Sequence, residues 1–137
     1  MAGELLLDTG ALVSLLDRSQ PRHREFVEFF TAWDGPVVTS EAVLTEATHL
    51  LSRAQRGPET CLEFFLRGGA ILVPSNEASL ARCRQLIRKF EDQPMDYADA
   101  TLVVLAEELE TELVFTTDRA DFEVYRWDGR RHFQVLP

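Results

Sequence analysis

Short apolar runs alternate with helical patterns along the whole chain, and this alternation limits most strongly what the chain can fold into. Four runs end at polar or turn-forming residues: 5–7 before Asp8, 37–38 before Thr39, 70–73 before Pro74 and 113–115 before Thr116. Uninterrupted apolar runs of this length are typical of parallel strands that are buried on both faces. Strands that alternate with helices predict an α/β fold with a mostly parallel sheet.

Apolar residues recur at helical spacing between these runs. The groups are Phe26, Phe29, Phe30 and Trp33; Val43, Ala47, Leu50 and Leu51; Leu80, Cys83, Ile87 and Phe90; and Ala98, Leu102, Leu105, Ala106 and Leu109. Each group lies on one face of a helix, which predicts four helices packed on the core. The last helix is expected from about Asp96 to Glu110, and Ser40 is expected to cap the second. Asp128-Gly129 is typical of a hairpin turn, and residues 132–136 predict a final strand.

The size of the chain predicts a single domain that spans residues 1–137. Its 137 residues are 45% hydrophobic, which is enough apolar surface for one core and too little length for two typical domains. Cys61 and Cys83 lack the spacing of a zinc site and are expected to be small core residues. Because no long apolar run or basic leader is present, we expect a cytoplasmic protein that does not associate with a membrane.

The charge balance argues against a general nucleic-acid-binding protein. The chain has 23 acidic and 14 basic residues, a formal charge of −9, and this sign does not suit broad neutralisation of phosphates. It is compatible with an enzyme whose carboxylates hold cations, because a bound metal reverses the local field that a phosphate meets.

Acidic residues stand where the predicted strands end and helices begin. Asp8 follows the first strand and Asp118 the fourth, and ligands of open α/β sheets bind beyond the carboxyl ends of the strands. Glu46 lies on the helix after the second strand, while Asp99 stands near the start of its helix with Asp96 three residues before it. We therefore expect these acids to meet in one crevice.

Carboxylates that are drawn together repel one another unless a proton or a cation relieves the repulsion. Oxygen ligands without His or Cys suit Mg²⁺ or Mn²⁺, which activate water and stabilise charge in displacement at phosphorus. The cluster therefore points to phosphodiester hydrolysis. Taken singly, each acid has an ordinary explanation, because Asp after a strand is commonly a helix cap and a lone Glu on a helix is usually solvated.

Four segments in series resemble the PIN-domain family, and specifically its VapC-like toxin ribonucleases. They are residues 6–12 (Leu-Leu-Asp-Thr-Gly-Ala-Leu), 39–46 (Thr-Ser-Glu-Ala-Val-Leu-Thr-Glu), 97–100 (Tyr-Ala-Asp-Ala) and 116–122 (Thr-Thr-Asp-Arg-Ala-Asp-Phe). The resemblance covers essentially the whole chain. It implies a three-layer α/β/α fold with a central, mostly parallel sheet of about five strands, and an acidic site that binds Mg²⁺ or Mn²⁺ and cleaves single-stranded RNA.

The resemblance also implies roles for individual residues and partners. Matched position by position, Asp8, Glu46, Asp99 and Asp118 correspond to the catalytic acids of the family. We expect the three aspartates to hold one or two metal ions, while Glu46 helps to position a metal or the attacking water. Asp121 matches an acid that joins the site in some members, Thr116 matches a hydroxyl residue that steadies it, and Asp96 is a supporting neighbour. The family further implies a homodimer and a small antitoxin that blocks the site.

Two other functions remain open at this point. The acids of a non-catalytic interaction protein would bind a basic partner without turnover. A DNA nuclease or an RNA-processing PIN nuclease would use the same site without an antitoxin. Arg119 lies beside the site and suits either a phosphate contact or an ion pair with a nearby carboxylate, so it is not included among the catalytic residues.

Overall fold

A computed structural model describes residues 3–137 of the chain. The elements in chain order are β1 (Leu5–Leu7), α1 (Thr9–Leu16), α2 (His23–Ala32), β2 (Val37–Ser40), α3 (Glu41–Leu50), α4 (Gly57–Leu66), β3 (Ile71–Val73), α5 (Glu77–Lys89), α6 (Tyr97–Leu109), β4 (Leu113–Phe115), α7 (Arg119–Val124) and β5 (Gln134–Leu136). The predicted α/β/α fold is confirmed.

The five strands form one parallel sheet in the order β3-β2-β1-β4-β5. β1 is central and pairs with both β2 and β4, with Leu6 opposite Val38 on one side and Val114 on the other. Since all strands point the same way, the residues that follow β1, β2 and β4 emerge at one edge of the sheet. This order brings the ends of two strands that are far apart in sequence next to each other.

The core lies around β1 and α6. All three residues of β1 are fully buried, and α6 is buried along most of its length, from Ala98 to Ala106 except Asp99. α6 contacts both β1 and β2. Phe115 of β4 stacks on the aromatic stripe of α2, with ring centroids 4.9 Å from Phe26 and 5.0 Å from Phe29. The predicted aromatic stripe is therefore part of the core.

The caps of the predicted helices agree with the sequence. The Ser40 hydroxyl accepts a hydrogen bond from the backbone N–H of Val43 at the start of α3. Asp96 and Glu110 flank α6 as its N-cap and C-cap. Asp128 and Gly129 both have positive φ angles in a turn closed by an antiparallel bridge between Trp127 and Arg131. This arrangement is a tight turn of the predicted kind, although the bridge does not extend into a hairpin.

Several predicted core positions are wrong. Ile71 was expected in a buried strand, but it is 59% exposed because β3 lies at the edge of the sheet. Leu50 is 57% exposed, since Leu51 takes the core position beside it. Leu80 is 49% exposed and Ile87 37%, because α5 buries Leu86 together with the predicted Cys83. The predicted final strand begins at Gln134, two residues later than expected.

Three further observations concern two helices, the two cysteines and the length of the helices. α1 and α7 were not predicted as helices. Cys61 and Cys83 are buried, as expected of core residues. No helix within residues 3–137 has both the length and the apolar character needed to cross a membrane.

Candidate active site

Asp8 and Asp118 lie side by side at the carboxyl ends of β1 and β4. The backbone N–H of Asp8 donates to the carbonyl oxygen of Phe115, which continues the pairing of the two strands beyond their ends. The Thr116 hydroxyl donates to Asp8 Oδ2 at 2.6 Å and accepts from the backbone N–H of Asp118 at 2.8 Å. One hydroxyl thus connects the Asp8 carboxylate with the Asp118 backbone.

Asp99 and Asp96 stand at the start of α6. Asp96 is the N-cap, and its Oδ1 accepts from the backbone N–H of Asp99 at 2.8 Å. Asp99 Oδ2 accepts from the phenol of Tyr125 at 3.0 Å. Because α6 packs on β1 and β2, its first turn holds Asp99 near the end of the central strand.

Glu46 lies on α3 and is half-buried. The start of α3 is joined to α6 by a hydrogen bond between the Ser40 and Thr101 hydroxyls at 2.7 Å. Within residues 3–137 the Glu46 carboxylate has no side-chain hydrogen bond or ion pair. Its negative charge nevertheless contributes to raising the pKa of Asp8, so the two side chains share one electrostatic environment.

Asp121 lies at the rim of the same group. Its backbone N–H donates to Asp118 Oδ1 at 3.2 Å, which caps α7. Its own carboxylate accepts from the side-chain amide of Gln93, in the loop before α6. Arg119 points elsewhere, since its guanidinium reaches Glu123 and the backbone oxygen of Pro137.

The pKa values show that these acids influence one another. Burial raises the pKa of Asp8 to about 6, the Thr116 hydrogen bond opposes this rise, and the charges of Asp118 and Glu46 add to it. Burial raises the pKa of Asp99 to about 8, and the negative charges of Asp8 and Asp96 contribute further.

The pKa values of Asp118 and Tyr125 are also raised. Burial first, and then Asp121, raises the pKa of Asp118. Burial and the neighbouring charge of Asp99 raise the pKa of the Tyr125 phenol well above its usual range, so this group stays a neutral donor. A protein that folds with acids in such positions must hold protons there or bind a cation.

The donor chemistry fits a hard divalent cation, although the side chains do not yet enclose one. Within residues 3–137, no three His, Cys, Asp or Glu side chains stand close enough together, as placed, to hold a metal ion. The donors at the strand ends are oxygens, of the aspartates and of Thr9 and Thr116, and oxygen is the ligand type of Mg²⁺ and Mn²⁺. Those ions keep several waters in their coordination sphere, so a loose set of carboxylates suits them.

A buried hydroxyl beside Asp8 lacks a partner. Thr9 is 4% exposed, and its Oγ1 is the one buried side-chain polar atom of the described chain that makes no hydrogen bond. Buried polar atoms are nearly always paired, so an unpaired one on the residue after Asp8 indicates a ligand or an ordered water.

Two clefts flank the acids. One, of about 420 Å³, is lined by residues that include Gly10, Val13, Leu50 and Thr117. The other, of about 590 Å³, is lined by Ala42, Thr45, Glu46, His49, Asp96, Tyr97 and Ala98. The second cleft is thus lined by two of the predicted acids, Glu46 and Asp96, and the first by Gly10 and Thr117, which are close in sequence to Asp8 and Asp118.

The sequence pattern missed three residues of this site. Thr9 directly follows the strand-end Asp8, and this adjacency was the only signal available for it. Gln93 and Tyr125 contact acids 28 and 26 residues away along the chain. Their contacts depend on the tertiary fold, and no local spacing indicates them.

Comparison with known proteins agrees with this description. The family model of the PIN domain matches residues 5–127. Over 135 residues the chain is 30% identical to "Ribonuclease VapC26" of Mycobacterium tuberculosis, a match that covers 97% of this chain and 100% of that protein.

Solved structures show the same fold at low sequence identity. VapC20 of M. tuberculosis, described as a toxin that cleaves the sarcin-ricin loop, has a TM-score of 0.79 and 17% identity over 85% of this chain and 92% of that one. A toxin-antitoxin complex from Klebsiella pneumoniae has a TM-score of 0.69 and 18% identity, covering 97% and 96% of the two chains. VapBC2 of Rickettsia felis, bound to a promoter DNA fragment, has a TM-score of 0.67 and 14% identity, covering 98% and 99%. Taken with the family match and the sequence relative, the strand order and the position of the acids lead to one conclusion: this chain belongs to the PIN-domain family and is a relative of its VapC members.

Proposed function

We propose that the protein is a Mg²⁺- or Mn²⁺-dependent endoribonuclease that hydrolyses phosphodiester bonds of single-stranded RNA. The observation that carries this proposal is the set of buried and half-buried carboxylates at the ends of β1 and β4 and the start of α6, whose charges raise one another's pKa values. The ribonuclease relative aligned over nearly the whole chain supports the choice of RNA as substrate.

In this proposal Asp8, Asp99 and Asp118 are the metal ligands. A bound divalent cation would supply charge stabilisation at the phosphate and lower the pKa of an attacking water. Glu46 is half-buried and faces a cleft, so its carboxylate orients that water and accepts its proton. Thr116 holds Asp8 and the Asp118 backbone in a fixed relation, which keeps two ligands in place before substrate arrives.

Supporting roles are proposed for two further acids. Asp96 fixes the first turn of α6 through its bond to the Asp99 backbone. In α7 the direction is reversed, because the backbone N–H of Asp121 donates to Asp118 Oδ1 and so holds that carboxylate at the start of the helix. Both therefore act on the position of a ligand and do not need to touch the metal.

The burial of the acids argues against a non-catalytic interaction protein. Asp8 is 5% exposed, so its charge is poorly placed to contact a basic segment of a partner. A surface that binds through acidic residues would instead present them to solvent.

We further propose that the chain is the toxin of a VapBC-type pair in the cytoplasm, a homodimer in which residues 1–137 form one domain. Toxin-antitoxin complexes among the structural neighbours support a small antitoxin. Leu50, which is largely exposed in the cleft that Gly10 and Thr117 also line, offers it an apolar contact.

The activity is tested by cleavage of single-stranded RNA with the purified protein in the presence of Mg²⁺ or Mn²⁺. We expect Asp8→Asn and Asp99→Asn to abolish cleavage. Asp34→Asn is a matched control, since Asp34 is exposed in the turn before β2. Cleavage that persists in both site variants and in excess chelator would overturn the proposal.

The toxin assignment is tested separately with the product of a short reading frame directly upstream of this gene. We expect that product to copurify with the chain and to inhibit its RNA cleavage. Light scattering of the purified chain measures whether it is a dimer. Cleavage without any inhibiting partner would indicate an RNA-processing nuclease instead.

A further inference from the structure

Tyr125 makes the only side-chain hydrogen bond to the Asp99 carboxylate within residues 3–137. Its phenol oxygen lies 3.0 Å from Asp99 Oδ2 and 3.3 Å from the backbone oxygen of Pro94. Neutral phenols donate hydrogen bonds to carboxylates, so this contact ties down one of the two carboxylate oxygens. The other oxygen, Oδ1, has no hydrogen-bond partner among these residues.

The position of the Tyr125 ring is fixed on all sides. The residue is fully buried, and its ring meets Phe90 and Phe122 edge-on, with centroid distances of 5.5 and 5.3 Å. Its backbone N–H donates to the carbonyl oxygen of Asp121 at the end of α7. A side chain held in this way has almost no rotational freedom, so it can hold another side chain in one orientation.

The same contact joins the two helices that carry site acids. Tyr125 is the C-cap of α7, which begins after Asp118, and its phenol reaches the first turn of α6, which carries Asp99. The amide of Gln93 crosses the same junction to Asp121. Any shift of α7 relative to α6 would therefore disturb the spacing of two proposed metal ligands.

We infer that Tyr125 is a positioning residue, which holds the Asp99 carboxylate through Oδ2 and leaves Oδ1 free to bind a divalent cation. This inference rests on the proposed function, because it assumes that Asp99 is a metal ligand. Partners that orient metal ligands typically contribute about 10- to 100-fold to metal affinity. Tyr125 is thus expected to act on metal binding even when no RNA is present.

The test is calorimetric titration of Mn²⁺ into the RNA-free protein carrying Tyr125→Phe. This change removes one hydroxyl and keeps the buried ring. Tyr97→Phe is the matched control, because Tyr97 is the first residue of α6, the helix that carries Asp99. Its hydroxyl is hydrogen-bonded to Ser75 Oγ at 2.6 Å and does not contact an acid. We expect the apparent Kd for Mn²⁺ to rise about 10- to 100-fold in Tyr125→Phe and to stay unchanged in Tyr97→Phe.

Two further measurements separate positioning from a general loss of structure. At saturating Mn²⁺ the cleavage rate of Tyr125→Phe should recover most of its loss, whereas a damaged fold would not recover. In an Asp99→Asn background, adding Tyr125→Phe should change Mn²⁺ binding no further, because the residue acts through Asp99.

The outcomes distinguish this inference from the proposed function. If Tyr125→Phe binds Mn²⁺ as tightly as the wild type while Asp99→Asn does not, the inference is wrong and the metal site stands. If Asp99→Asn itself binds Mn²⁺ as tightly as the wild type, Asp99 is not a metal ligand and the proposed function is contradicted.

Discussion

The acidic site has two sides that are built differently. On the side of β1, β4 and α6, Asp8 is buried and Asp99 is half-buried, and each accepts a hydrogen bond from a neutral hydroxyl, of Thr116 or Tyr125. On the side of α3, Glu46 is half-buried, and within the described chain its carboxylate makes no side-chain contact. In the proposed mechanism, the first side, here called the fixed side, holds its acids in place for a cation. The second side, here called the open side, leaves Glu46 free to follow a water or a substrate.

The largest effect is expected from removing an acid on the fixed side. Asp8→Asn should weaken Mn²⁺ binding by more than about a hundredfold, since loss of a ligand costs more than loss of its hydrogen-bond partner. Titration of Mn²⁺ into the variant and into Asp34→Asn measures this difference. Equal affinities would show that the fixed side does not bind the metal.

The same substitution should change how stability depends on pH in the absence of metal. The pKa of Asp8 rises from 3.8 to about 6 on folding, and each unit corresponds to about 1.4 kcal/mol. The folded protein therefore keeps a proton that the unfolded chain loses, so this group costs stability as pH rises from about 4 to above 6.

We expect Asp8→Asn to gain stability relative to the wild type between pH 4 and 7, by up to about 3 kcal/mol. Urea unfolding of both proteins in chelator at several pH values gives the difference. A difference that does not vary with pH would mean that Asp8 ionises normally. Mn²⁺ should reduce the gain, because it stabilises the ionised wild type alone.

An intermediate effect is expected from removing a hydroxyl that holds the fixed side. Thr116→Val keeps the shape of the side chain but loses its bonds to Asp8 and to the Asp118 backbone. Mn²⁺ affinity should fall about 10- to 100-fold. Thr45→Val is a suitable control, because the Thr45 hydroxyl bonds only its own helix, at Glu41. Similar Mn²⁺ affinities in the two variants would show that the Thr116 hydroxyl does not support metal binding.

The smallest effect on metal binding is expected from a change to Glu46, on the α3 side of the site. Glu46→Gln should change Mn²⁺ affinity by less than about tenfold, because Glu46 is not held among the ligands. Cleavage at saturating Mn²⁺ should nevertheless fall by about a hundredfold or more, as for loss of a general base. Titration and single-turnover cleavage on the same preparation measure both quantities. A loss of Mn²⁺ affinity as large as in Asp8→Asn would show that Glu46 binds the metal as the aspartates do.

The sequence predicted those parts of the fold that leave a local pattern. Strands β1, β2 and β4 were predicted because each apolar run stops at polar residues, and α6 because its apolar residues recur between two recognisable caps. α1 was missed because five of its residues, from Thr9 to Ser14, are buried on more than one face and show no helical period. α7 has six residues, which are too few to establish a period.

What the sequence could not predict depends on strand order and on distant contacts. The exposure of Ile71 follows from the position of β3 at the sheet edge, and no residue within the strand indicates that position. Asp8 and Asp118 were predicted to meet because residues beyond parallel strand ends share one edge. The contact of Tyr125 with Asp99 needed the path of the chain after α7, which local spacing does not determine.

The most direct test of a shared cation site is a crystal structure of the protein soaked with Mn²⁺, with the ion located by its anomalous scattering. The account predicts a peak about 2 Å from carboxylate oxygens of Asp8, Asp99 and Asp118, with Glu46 beside it and outside the bonding distance. A strong peak elsewhere on the molecule, with these three aspartates bound to nothing, would contradict it.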